Sequence, residues 1–143
     1  MKLKKKILIM GLPGSGKTYL AKKLFPLINA AYLNADKVRK DFGDYDFSPK
    51  GRERQAKRMC RIAKKYLKKN KHVVADFICP THKTRKQFDA DVLIWMDTIK
   101  KSRYDDTNQL FLPPKKADFR IKKKNGKLWA LRIAKKNSKM TNN

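Results

Sequence analysis

The stretch "GLPGSGKT", Gly11 to Thr18, follows directly on the apolar run "ILIM". It matches G-x-x-x-x-G-K-[ST] in full, between a strand-like and a helix-like segment, the context in which that pattern has a mechanism. Gly11, Gly14 and Gly16 let successive backbone N–H groups turn inward around phosphate oxygens. The helix that follows points its positive end at the same place. Lys17 can reach the β- and γ-phosphates of a nucleotide, and the Thr18 hydroxyl can ligate Mg²⁺, whose other ligands are waters and phosphate oxygens. The expected cofactors are therefore ATP and Mg²⁺, held by Gly11, Gly14, Ser15, Gly16, Lys17 and Thr18. The expected chemistry is phosphoryl transfer, in which positioning and charge stabilisation count for more than covalent help from the protein. Lys17 is one of its two expected catalytic residues.

Transfer needs an acceptor, and three further clusters can serve it. Asp36 ends the strand-like "AAYLNA", where the carboxyl ends of parallel strands converge on a ligand crevice. It can accept a proton from an attacking hydroxyl, or it can simply cap the helix that follows. Arg39, one turn on, faces the same side and can hold an anion. In "PKGRERQAKRMC", Arg52, Gln55 and Arg58 recur at a spacing of three, a stripe that can grip phosphate or sulfate or can be a solvated polar face. In "ADFICP", Asp76 can act toward Mg²⁺ through water, or as a structural partner of Lys17 or Thr18. Ile78 and Cys79 follow at the crevice edge. Cys79 is reactive only if a basic site stabilises its thiolate, and is otherwise a small packed residue.

The elements that must position these groups can be read along the chain. "KILIM" is a short buried strand, and the helix from Lys17 buries Leu20, Ala21 and Leu24 before Pro26 stops it. "AAYLNA" and "DKVRKDF" give a strand and one or two turns of helix. Ser48 and Pro49 start a helix that runs to about Asn70. Its core stripe is Met59, Ile62, Ala63, Tyr66 and Leu67. "HVVADF", "THKTRKQF" and "DVLIWMD" read as strand, helix and strand. A loop spans Thr98 to about Lys116, "ADFRI" is an edge strand, and Asn125 caps a final helix carrying Leu128, Trp129, Leu131 and Ile133. The alternation implies a five-stranded parallel α/β sheet with helices on both faces. A single domain covers residues 1–136, and 137–143 form a polar, frayed tail.

Composition sets limits. The 143 residues carry 38 Lys+Arg against 12 Asp+Glu, a formal charge of +26. Such a chain attracts polyanions. The excess is mostly Lys spread along the whole chain, which favours a solvated surface over a clustered nucleic-acid patch. Small nucleotides are the expected partners, and nucleic acid is allowed by the charge but less favoured. Cys60 and Cys79 have neither disulfide-framework nor metal-type spacing. "ILIM" is too short for a signal-peptide core, and no segment nears the ~18 apolar residues of a membrane helix. The expectation is a cytoplasmic protein with no membrane partner. Its oligomeric state is open, a homodimer included.

Taken together, "GLPGSGKT", "LNADKVR", "DFSPKGRERQAKR" and "FICP" occur in the order of the adenylylsulfate (APS) kinase family, whose patterns read roughly GLSGSGKST, LDGDNVR, GFSxxDRxENxRR and FISPY. The resemblance covers about residues 6 to 97, with a weaker echo in "DDTNQLFLPP". It implies a nucleoside-monophosphate-kinase-like P-loop NTPase fold. It also implies transfer of the ATP γ-phosphoryl to the 3′-hydroxyl of adenosine 5′-phosphosulfate, a step of sulfate assimilation. By the same resemblance Asp36 is the catalytic carboxylate, and Arg39, Phe47, Arg52, Gln55 and Arg58 line the APS site. Phe47 would stack on adenine, the arginines would hold the phosphosulfate, and Ile78 and Cys79 would add backbone contacts. The chain departs from the pattern at Asn34, Gly51 and Cys79. After "WMDT" the family's basic lid is replaced by the short "IKKSRYDDTNQLF", where Lys100, Lys101 and Arg103 are the available cations. Two other readings stand beside this one: a P-loop kinase for another hydroxyl such as a polynucleotide end, and a nucleotide-dependent nucleic-acid-binding module.

Overall fold

A computed structural model describes residues 4–141. Strand β1 (Lys6–Met10) is buried along its whole length, as a continuous apolar run in a parallel sheet must be. It feeds the glycine loop and then helix α1 (Lys17–Leu27). Strand β2 (Ala31–Asn34) runs straight into α2 (Ala35–Phe42), and α3 (Pro49–Lys68) starts with the Ser48 side chain accepting from the Gly51 N–H. There follow β3 (Val73–Asp76), α4 (His82–Phe88), β4 (Val92–Met96), α5 (Asp105–Leu110), β5 (Phe119–Ile121) and α6 (Gly126–Thr141).

The sheet order is β2-β3-β1-β4-β5, with every neighbouring pair parallel. The chain winds outward from β1 to β2, returns through β3 and crosses to β4. The order therefore reverses beside β1, which opens a crevice at the strands' carboxyl ends. One face is packed by Met59 and Ala63 of α3, Val38 of α2 and Phe88 of α4. The other is packed by Leu20, Ala21 and Leu24 of α1 with Ala130 and Ile133 of α6. This is the expected five-stranded parallel sheet with helices on both faces, with β5 at its edge.

Three elements differ from expectation. Pro26 lies inside the last turn of α1 rather than ending it; lacking an N–H, it leaves the carbonyl four residues back without its helical donor, and the helix ends one residue later. The expected loop from Thr98 to Lys116 contains the short helix α5. The expected frayed tail continues α6 as far as Thr141. Ala130, Ile133 and Asn137 are all buried, and their spacing keeps one face packed past Lys136. The last two residues of that tail lie outside the described residues.

Candidate active site

The donor pole is built by the glycine loop. Gly11 has φ +152°, and a Cβ there would lie 2.7 Å from the Met96 carbonyl oxygen, so the loop can hug the end of β4 only without a side chain. The Ser15 N–H donates to Leu12 O at 3.1 Å, and Thr98 Oγ1 donates to Ser15 O at 2.7 Å. Gly16 caps α1 and supplies no side-chain hydrogen bond. The first-turn N–H groups are thus left for an external anion, which is the arrangement a phosphate requires. Lys17 Nζ donates to Leu12 O at 3.0 Å, beside the same helix end. Burial pulls its pKa down, opposed by the charges of Asp76 and Asp36. The uncapped helix end, Lys17 and the Thr18 hydroxyl fit a nucleotide's phosphates, and Thr18 fits their Mg²⁺.

Asp76, at the end of β3, ties this pole to the sheet. Its Oδ2 accepts from Thr18 Oγ1 at 2.9 Å, from Tyr32 OH at 2.5 Å and from Asn34 Nδ2 at 3.4 Å. Of the partners considered from sequence, Thr18 is the one it bonds, so Asp76 orients the Thr18 hydroxyl. Tyr32 was not foreseen. It sits on the same strand face as Asn34, which pairs in register with Asp76. Alternation along β2 carries that signal. Burial first, then the Asp76 hydrogen bond, pushes the Tyr32 phenol pKa up, so it stays a donor.

Across the cleft lies the second pole. Asp36 is exposed and is the second residue of α2. The cap of that helix is Asn34, whose Oδ1 accepts from Lys37 N at 3.0 Å. The capping alternative for Asp36 is therefore taken by its neighbour, and no hydrogen bond among the described residues engages its carboxylate. Arg39 is buried, donates through Nη1 to Asp44 O at 3.1 Å and Asp46 O at 3.2 Å, and lies 4.2 Å over the Phe47 ring. Arg52 donates from Nε to Phe47 O at 2.9 Å and from Nη2 to Thr107 Oγ1 at 2.9 Å. Gln55 holds Ala35 O at 3.1 Å.

A cleft of about 470 Å³ joins the poles. Gly14, Lys17, Thr18, Asp36, Arg39, Phe47, Arg52, Gln55, Asp76, Ile78 and Cys79 all line it. Arg58 does not. Its guanidinium lies behind the wall, bonded to Gln55 Oε1 at 2.8 Å and Asp44 Oδ2 at 2.9 Å and stacked on Phe42. The expected three-residue stripe is split because steps of three on a 3.6-residue helix drift by about 60° each. Arg52 and Arg58 therefore diverge by about 120°. Gly51, where the APS-kinase pattern has Asp, leaves room for the loop before α3. A Cβ there would lie 2.1 Å from Asp46 O.

Cys79 is buried at φ +47°, and burial pushes its thiol pKa up to about 12. It is a packed residue without thiolate character, and its carbonyl is engaged by Arg85 Nε at 3.0 Å. Lys100, Lys101 and Arg103 are exposed and none lines the cleft. The segment contributes Tyr104, Asp106 and Thr107 instead. These were missed as site residues; the "DDTNQLFLPP" echo was the signal for Asp106 and Thr107, and Tyr104 lies just before it. Asp106 faces Arg52 and opposes the fall in its pKa that burial imposes.

Comparisons with known proteins agree with this architecture. No curated protein matches the sequence. Among solved structures, the APS kinase of Mycobacterium tuberculosis in complex with AMPPNP and APS is similar, with TM-score 0.77 and 20% identity over 92% of this chain and 96% of that one. A sugar kinase from Janibacter sp. HTCC2649 gives 0.74 at 10% identity, covering 95% of each chain. A shikimate kinase from Acinetobacter baumannii in complex with shikimate gives 0.58 at 16% identity, over 97% of this chain and 93% of that one. At such identities these likenesses speak for the fold. A family model described as an AAA domain matches residues 7–92, more than half of the chain and the whole span from β1 to the start of β4. With its glycine loop, Thr18–Asp76 pair and parallel sheet, the chain belongs to this AAA domain family and has the P-loop kinase fold.

Proposed function

We propose that the protein transfers the γ-phosphoryl of ATP to the 3′-hydroxyl of adenosine 5′-phosphosulfate. One observation carries this reading: an unengaged carboxylate, Asp36, stands between the phosphate loop and a wall of Arg39, Phe47 and Arg52. ATP with Mg²⁺ would supply the transferable phosphoryl group and the ion that neutralises its charge. The chain's own residues do the rest. Asp36 receives the proton of the attacking hydroxyl. Lys17 leaves the Leu12 carbonyl to meet the charge on the phosphate oxygens. Asp76 fixes the Thr18 hydroxyl toward the ion. Arg39 and Arg52 present charge to the acceptor's anionic end, and the exposed Phe47 ring offers an apolar face to a base. The order of motif blocks and the likeness to an APS-bound kinase support the choice of acceptor.

The test is transfer from γ-labelled ATP with Mg²⁺ to APS, shikimate, gluconate and a 5′-hydroxyl DNA end, assayed in parallel. Label on APS alone is the expected result. Label on another acceptor but not APS overturns the acceptor and keeps the phosphotransferase; no label on any acceptor counts against transfer itself. A polynucleotide end is the second reading, favoured because the segment after β4 places none of its cations in the cleft.

A further inference from the structure

We propose that the face formed by α1, α6 and the turn at residues 122–125 is a docking surface for a nucleic-acid strand, whichever hydroxyl the cleft accepts. In sequence the lysines look evenly spread. In three dimensions their counter-charges are not. α1 contains no Asp or Glu, and neither does any position from Phe119 to Thr141. These two helices pack against each other on one side of the sheet. Lys22 and Lys23 of α1, Lys127, Arg132, Lys135 and Lys136 of α6, and the three lysines at 122–124 are all exposed. The opposite side keeps carboxylates within reach of its cations: Arg54 meets Asp44 at 2.8 Å, Arg58 meets Asp44 at 2.9 Å, and Lys83 meets Glu53 at 2.6 Å. A field of one sign with nothing to offset it within the face is the footprint of a polyanion site.

Two further features favour nucleic acid over other polyanions. Tyr19 is 56% exposed with Lys23 Nζ 5.4 Å from its ring, and Trp129 carries Arg132 at 5.1 Å. Flat rings among cations give bases something to stack on while phosphates meet the charge. The face is also continuous with the phosphate loop, since the Lys124 stem lies close to Gly16. A membrane is the weaker fit. The α6 residues Ala130 and Ile133 are buried against α1, and the leucines it leaves exposed, Leu128 and Leu131, stand among Lys127, Arg132 and Lys135 rather than forming an apolar face that can insert.

The test titrates the full chain against labelled 20-nucleotide single-stranded DNA and RNA between 50 and 200 mM NaCl. Seven neutralised phosphates give a log–log slope of about −5, roughly a thousandfold loss of affinity across that range. Lys127→Ala/Arg132→Ala/Lys135→Ala/Lys136→Ala should flatten the slope by about 3. A separate variant with alanine at 122–124 should flatten it by about 2. Lys57→Ala/Lys64→Ala/Lys65→Ala/Lys68→Ala on α3 removes the same charge and should change affinity less than threefold. Stabilisation by ATP–Mg²⁺ is measured for each variant to confirm that it is folded. Equal losses from α3 and α6 would overturn the proposal by reducing it to net charge. So would a flat salt response, or binding to phosphatidylserine vesicles or an acidic protein with none to either nucleic acid.

Discussion

The phosphate loop and the acceptor wall face each other across one cleft but are assembled differently. The loop is eight contiguous residues whose internal hydrogen bonds span a few positions, from Ser15 and Lys17 back to Leu12. Two long-range contacts anchor it, Thr18 to Asp76 and Thr98 to Ser15. The wall is drawn from α2, the loop before α3, α3 itself, the end of β3 and α5. Its guanidinium groups are held largely by backbone carbonyls of that loop and by a threonine 55 positions away. The donor end is therefore a local device that works wherever its strand and helix are in place. The acceptor end exists only if several distant segments keep register.

Four perturbations separate the two ends, beginning with the most severe. Lys17→Ala removes the one cation of the phosphate loop, and turnover should fall by about 10³-fold with weaker ATP binding. Steady-state kinetics and nucleotide titration check this; intact turnover would remove Lys17 from the chemistry. Gly51→Ala places a Cβ against the Asp46 carbonyl, at 2.1 Å before relaxation. It should cost about 1–3 kcal/mol and raise the acceptor KM while ATP affinity holds. A variant with unchanged thermal unfolding and KM would show that the loop yields freely.

Thr107→Val should be milder, since it deletes the hydroxyl that Arg52 Nη2 donates to. The acceptor KM should rise a few-fold with kcat and ATP binding unchanged; an effect on kcat instead would give α5 a different role. The smallest effect concerns acid. Hydrogen bonds from Ser48, and then Arg54, hold the Asp46 carboxyl at about 2 against an ordinary 3.8. Arg54 and then Arg58 lower Asp44 further. A depressed folded pKa stabilises fully above 3.8 and is lost as pH falls toward about 2. Urea midpoints should therefore drop over that window less in Asp46→Asn than in the parent. Parallel curves would mean that the loop contributes nothing to acid stability.

The same division governs how much the sequence disclosed. The donor loop was legible because its chemistry is contiguous, and the place of Asp36 in the cleft because it follows closely on a strand's carboxyl end, although β2 stops at Asn34 and Asp36 lies in α2. Parallel pairing followed from the alternation of elements, whereas the strand order β2-β3-β1-β4-β5 is set by packing that the alternation does not encode. What escaped depended on angle and on distant packing. Arg58 has the residue type of an anion ligand but is turned away by helical drift and claimed by Asp44. Tyr32 is an ordinary strand aromatic until the register sets it near the Asp76 carboxylate. α5 is a six-residue helix without a periodic apolar stripe, and its place against Arg52 could not be read from its own residues. The end of α6 looked frayed because its residues are polar, yet Asn137 is buried.

The account rests on Asp36 acting on the acceptor while contributing nothing to donor binding. Asp36→Asn, measured side by side for ATP–Mg²⁺ affinity and for single-turnover phosphoryl transfer, tests this most directly. The expected result is an unchanged dissociation constant with transfer slowed by about 10²–10⁴-fold. Transfer at the parent rate, or a matching loss of ATP affinity, would contradict it.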